Sequence, residues 1–218
     1  MGKLGDFRER TMARSTDFIS VDAPISDDVM NAITDLDNNA LVLRLHYTIH
    51  HLSRWITPIH DRNKLERSRH LGEPTVRDLL LNMRDNEQFM YPRMYVIANE
   101  ADPDLDTIPP HQPNTHSRMA DKNWSTVELM GSMRRLRQST CGLLRQTPDA
   151  AWNRKGYSRK HEDATLRQLA EQLAAHDYRV LRAMDFTLWD SGAREGIAEI
   201  QTASLDELLK LVPTSLKV

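Results

Sequence analysis

The chain has 218 residues, of which 39% are apolar, 28% charged and 6% aromatic, with 8 glycines, 10 methionines and 1 cysteine. Against 31 Asp and Glu, 29 Lys and Arg leave a formal charge of -2, so no global basic field draws it to nucleic acid or an anionic membrane. Scarce glycine disfavours glycine-rich phosphate loops and turn-dense sheets. A single cysteine excludes an internal disulfide and any multi-cysteine metal site, and no apolar run nears the roughly 20 residues that span a bilayer.

A chain of this size buries roughly 70% of its unfolded surface, enough for one substantial core. Residues 1–25 read as a polar arm with no secretory pattern, so the cytoplasm is the expected address. Ser26 is placed to cap a helix carrying Val29, Ile33 and Leu36, and Asp37 to cap or restart it. Leu41, Val42, Leu45, Ile49, Leu52 and Ile56 then recur at helical spacing up to Thr57-Pro58. Residues 60–73 are charged and turn-like.

Thr75 and Asp78 open a second long helix as cap and partner, with a stripe of Val76, Leu79, Leu80, Met83, Met90, Met94 and Ile97. Pro92 lies inside it and should bend it. Residues 99–123, with Pro103, Pro109, Pro110 and Pro113, form a long crossover loop of the kind used as a lid, a binding loop or an ordered wrap. Ser125 and Glu128 open the third helix, with Met130, Met133, Leu136, Thr140 and Leu143 or Leu144, and Pro148 ends it. Trp152 to Asp163 is a polar connection.

Thr165 and Gln168 open the fourth helix, whose stripe reads Leu166, Leu169, Leu173, His176, Val180, Ala183 and Leu188. A short helix is expected from Ser204. No strand alternation or internal repeat is visible. The expected fold is all-α, a four-helix bundle over 26–190, with the arm 1–25 before it and an extension, 191–218, after it.

Several residues carry chemistry. His176, in the stripe of the fourth helix, needs a hydrogen-bond partner or a metal, and is either a satisfied core histidine or a ligand or base. Glu87 falls on the apolar face of the second helix, where it is either paired with an arginine from another helix or a pocket carboxylate with a raised pKa. Asn82, Asn86 and Arg93 flank the same stripe. His46 and His50 stand four apart, a spacing that lets two imidazoles reach one metal, although both lie at the margin of their helix's apolar face or beyond it. His111, His116 and His161 read as solvated. Cys141 has no activating neighbour in sequence and reads as a buried, inert thiol.

Three segments resemble a known family. Pro74 to Glu87 looks like the "HLxDxE" helix of the DinB/YfiT-like proteins. Leu144 with Thr147-Pro148-Asp149-Ala150-Ala151-Trp152-Asn153-Arg154-Lys155-Gly156 is similar to its "L…TPxxxWxRxG" turn, and Ala164 to Asp177 to its last bundle helix. The resemblance covers about residues 27–189. It implies an up-up-down-down four-helix bundle, commonly a homodimer, in which three histidines hold nickel, zinc or manganese. One comes from the second helix and two, four residues apart, from the fourth. Some members are hydrolases, isomerases or transferases that use bacillithiol, mycothiol or glutathione.

At those three positions this chain has Asn82, His176 and Val180. Valine cannot ligate, and an amide oxygen is a poor substitute for imidazole on a transition metal. His176 is the one matching ligand, with His46, His50 and Asp85 as possible helpers and Glu87 and His176 as catalytic candidates. A pocket here draws on Asn82, Asn86, Glu87, His176, Val180 and His50. Two functions follow as expectations. The first is a small-molecule-binding or interaction module with a degraded metal site; the alternative is a metal-dependent hydrolase or thiol transferase rebuilt around His176. A homodimer and a small-molecule ligand are the expected partners, with no nucleic acid and no membrane, since helical spacing spreads Arg134, Arg135 and Arg137 round the third helix.

Overall fold

The computed structural model describes residues 24–68, 72–109, 121, 123–160 and 162–193. Most of the arm, residues 110–120 of the crossover loop, His111, His116, His161 and the helix expected from Ser204 lie outside the described residues. Six α-helices are described: α1 (Asp27–Thr34), α2 (Asn38–Ile56), α3 (Arg62–Glu66), α4 (Val76–Asn99), α5 (Thr126–Gln146) and α6 (Leu166–Asp190). Four of them build the bundle. Helix α2 packs on α5 and α6, and α4 packs on the same two. The pairs α2–α4 and α5–α6 therefore lie diagonally, so chain neighbours α2 and α4 are joined across the bundle. Among the described residues no helix is long and apolar enough to cross a membrane.

The starts of the long helices are written in side chains. Asp37 accepts from the Ala40 amide at the head of α2, which separates it from α1. Thr75 with Asp78, Ser125 with Glu128 and Thr165 with Gln168 all form reciprocal capping boxes, each satisfying two amides that a helix start leaves open. Helix α4 runs from Val76 to Asn99 as one assigned helix with Pro92 inside.

Several short elements are not legible in the sequence. Asp61 caps α3, a helix of five residues that lies within the stretch expected to be turn-like. Two-residue strands, β1 (Lys155–Gly156) and β2 (Ala164–Thr165), pair antiparallel in the connection before α6. In the crossover loop Leu105–Thr107 forms a 3-10 turn, and Asp104 bridges to Tyr157, with the Leu105 amide donating to the Tyr157 carbonyl at 2.8 Å. This part of the loop is an ordered wrap. None of these pieces is long enough to show a period.

The "TPxxxWxRxG" turn closes this end of the bundle. Trp152 is buried, with its indole N–H donating to the Thr147 carbonyl at 3.3 Å. Arg154 donates to the Ala98 carbonyl at 2.8 Å, in the last turn of α4. At Gly156 an added Cβ would meet Leu105 Cδ2 at 2.8 Å and Ile97 Cγ1 at 2.9 Å, closer than carbon atoms pack. Gly156→Ala should therefore destabilise the protein by about 1–3 kcal/mol through overpacking. Gly142→Ala on α5, where a Cβ meets nothing within 4 Å, should instead stabilise by up to about 1 kcal/mol. Urea midpoints of the two variants check the contrast, and equal shifts would refute it.

Candidate functional site

The centre of the bundle is charged. Arg137 of α5 is 2% exposed and faces Glu87 of α4 at 0% and Asp177 of α6 at 1%. Its Nε donates to both Glu87 oxygens at 2.8 Å. Nη1 and Nη2 take the two Asp177 oxygens at 2.6 and 3.0 Å, and Nη1 also donates to the Leu45 carbonyl of α2 at 2.9 Å. Buried Arg44 of α2 adds a second guanidinium beside Asp177.

Two cations thus meet two carboxylates in a layer to which all four helices contribute. The layer divides the apolar core. On one side lie Trp55, Met83, Met133, Val180 and Leu188; on the other Leu41, Leu45, Met90, Cys141 and Leu173. Burial pushes the Glu87 carboxyl above its usual range, while Arg137 pulls the other way. Of the two readings of Glu87, the structure has the ion pair, and its oxygens face Arg137 rather than an open pocket. Cys141 is buried, and its thiol is pushed up to about 11 by that burial, which leaves it protonated and inert at neutral pH.

His176 sits one residue beside this layer, half-buried on the α6 edge that faces α4. Its Nε2 donates to Asn82 Oδ1 at 2.9 Å. The apolar stripe is completed by Asp177, not by His176: both residues fit the helical spacing after Leu173, and Asp177 takes the inner position because Arg137 meets it there. Val180, a turn further on, is fully buried among Met83 and Met184. The structure therefore brings Asn82, His176 and Val180 to one seam between α4 and α6.

The other candidates stand elsewhere. Asp85 is held by Arg84, with Nη2 at 2.7 Å from its Oδ1, and Arg84 also grips Asp121. Asn86 is half-buried, with its amide nitrogen lacking a partner among the described residues. Arg93 stacks over the Phe89 ring at 3.5 Å and donates to the Phe89 carbonyl. His46 and His50 lie on the outer face of α2 toward α5, diagonal to α4, with Tyr47 edge-on to each ring. Partial burial and the neighbouring Arg145, Arg54 and Arg134 hold both imidazoles below the usual histidine range.

Among the described residues no group of three His, Cys, Asp or Glu side chains is placed to hold a metal ion. The donor set at the α4–α6 seam is one imidazole, one amide and one valine, and the imidazole's Nε2 is occupied by the amide. That set does not fit a divalent transition metal.

A groove of about 520 Å3 opens elsewhere, along the C-terminal half of α4. Tyr91, Pro92, Tyr95 and Val96 form one wall and Thr107, Ile108 and Pro109 the other. None of the pocket residues chosen from the sequence lines it. The available signal was the pair Tyr91 and Tyr95, aromatic residues four apart on one helix, with Tyr95 50% exposed.

No family model matches the sequence, and none of the curated proteins matches it. Among solved structures it is similar to YfiT from Bacillus subtilis, described as a probable metal-dependent hydrolase with an unusual four-helix bundle topology. The TM-score is 0.60 at 18% identity, covering 78% of this chain and 91% of that one. At this identity the likeness is one of fold alone: a four-helix bundle like that of YfiT.

Proposed function

We propose that this chain is a small-molecule-binding or interaction module on the YfiT-type bundle, one that does not carry the metal chemistry associated with that architecture. The observation that carries the reading is the α4–α6 seam. Where the resemblance implies three imidazoles, His176 is hydrogen-bonded to Asn82 at 2.9 Å and Val180 is packed in apolar side chains. His176 and Asn82 act as a clasp between two helices, and no reaction step is assigned to them. Support for the binding half comes from the groove beside Tyr91 and Tyr95: its volume of about 520 Å3 falls within the range of small-molecule sites, and its walls are mostly apolar.

The test is elemental analysis of the untagged protein, repeated on His176→Ala. We expect no stoichiometric nickel, zinc or manganese in either. The variant should lose about 0.5–1.5 kcal/mol of stability, the net worth of one hydrogen bond. Stoichiometric metal that disappears in His176→Ala would overturn the proposal and restore the metal-dependent hydrolase or thiol-transferase reading.

A further inference from the structure

Helix α2 contains no Asp, Glu or Lys between Asn38 and Ile56, and α5 contains no Lys and one acid, Glu128. Glu128 is spent on the capping box with Ser125. The outer surface of the α2–α5 pair is therefore cationic in a chain whose net charge is -2. It presents Arg54, Arg134 and Arg145, all exposed, with exposed His50 and half-buried His46 between them. Among the described residues, the charged groups that act on His46 are Arg145 and His50, and those that act on His50 are Arg54 and Arg134.

Several other arginines are paired with carboxylates. Arg167 pairs with Glu171, Arg84 with Asp85 and Asp121, and Arg137 with Glu87 and Asp177. Arg54, Arg134 and Arg145 have no carboxylate at ion-pair distance among the described residues.

We propose that the α2–α5 face is a docking surface for an acidic protein segment. Charge complementarity selects an anionic partner and disfavours a second copy of the same face, which would oppose like charges. Composition selects protein over nucleic acid. The face uses arginine without lysine and carries Tyr47 and exposed Leu43 among the charges, and enriched arginine and aromatic residues with depleted lysine mark protein interfaces. Guanidinium forks fit carboxylates bidentately, and Tyr47 with Leu43 supplies apolar contact area. This inference does not depend on the α4–α6 seam or on what the groove binds.

The experiment uses the full chain and a poly-L-glutamate peptide at low ionic strength, followed by NMR at the His46 and His50 imidazoles. Binding should raise both imidazole pKa values, since an anion offsets the surrounding cations, and should weaken as salt is added. The variant Arg54→Glu/Arg134→Glu/Arg145→Glu alters only exposed side chains, so circular dichroism should be unchanged while affinity falls about tenfold or more. Absence of poly-L-glutamate binding, binding unaffected by the triple reversal, or tighter binding of duplex DNA of equal charge would each overturn the proposal. So would a change in oligomeric state caused by the reversal alone.

Discussion

Arg137→Met is expected to cost about 3–5 kcal/mol, because removing one member of a buried ionic cluster strands the others in a low-dielectric interior. Among the described residues the guanidinium supplies every ion pair of Glu87 and Asp177, and both acidic residues are buried. Arg44 stays beside Asp177 but finds no hydrogen-bond partner for Nη1 or Nη2 among the described residues, so it replaces the lost geometry poorly. Typical domains are stable by only about 5–15 kcal/mol, so the variant should unfold at a much lower urea concentration.

The pH dependence separates this cause from simple loss of packing. Without Arg137 the folded-state carboxyl of Glu87, already raised by burial, rises further. A carboxyl whose folded pKa exceeds its unfolded value binds more protons when folded, so its contribution to stability falls as pH rises. The deficit of Arg137→Met should therefore shrink on acidification from neutral pH toward the carboxylate range. Adding Glu87→Gln should recover part of it at neutral pH, since an amide leaves no buried charge. A deficit below about 1 kcal/mol, or one that does not vary with pH, would contradict the buried-charge account.

Most of the bundle was legible because its signals are periodic or local. Asp37 and the three capping boxes mark the helix starts they were expected to mark, and the apolar residues at spacings of three and four lie where the core formed. The charged layer was not: the stripe expected along α5 runs through Leu136, and it is Arg137, one residue on, that is buried. Met130, Met133, Arg137, Thr140 and Leu144 keep one spacing along α5, so Arg137 belongs to the inner stripe rather than to a surface cluster with Arg134 and Arg135. Arg44 and Thr48 stand in the same relation to Leu41 and Leu45 on α2.

His176 and Asp177 show the limit of such reasoning. Both satisfy the spacing from Leu173 to Val180 or Ala183, and one residue of rotation decides which is inside. Only the partner on another helix, Arg137, settles that choice, and a period within one helix cannot contain it. The 3-10 turn at Leu105, the strands β1 and β2 and the groove at Tyr95 depend in the same way on contacts between segments far apart in the chain.

Reinstating histidine at the two departed positions should convert the α4–α6 seam into a metal site. In Asn82→His/Val180→His, His176 gains one imidazole from the α4 residue it already touches at 2.9 Å and another four residues along α6, the spacing at which two side chains of a helix reach one ion. Without metal the new imidazole at position 180 is a polar group in a fully buried apolar site, which should lower stability by about 1–3 kcal/mol. Zinc or nickel should restore most or all of it, since a ligand at a hundred times its dissociation constant adds about 2.7 kcal/mol. The wild-type chain should show no comparable shift, because Asn82 and Val180 supply no imidazole. Thermal unfolding of both proteins with and without metal reads the two effects separately. If the variant folds but takes no metal, the seam does not have metal-site geometry, and the two substitutions cannot be what separates this chain from a metal-binding bundle. If the wild type gains as much from metal as the variant does, a donor other than positions 82 and 180 holds it, and the reading of His176 with Asn82 as a metal-free clasp fails.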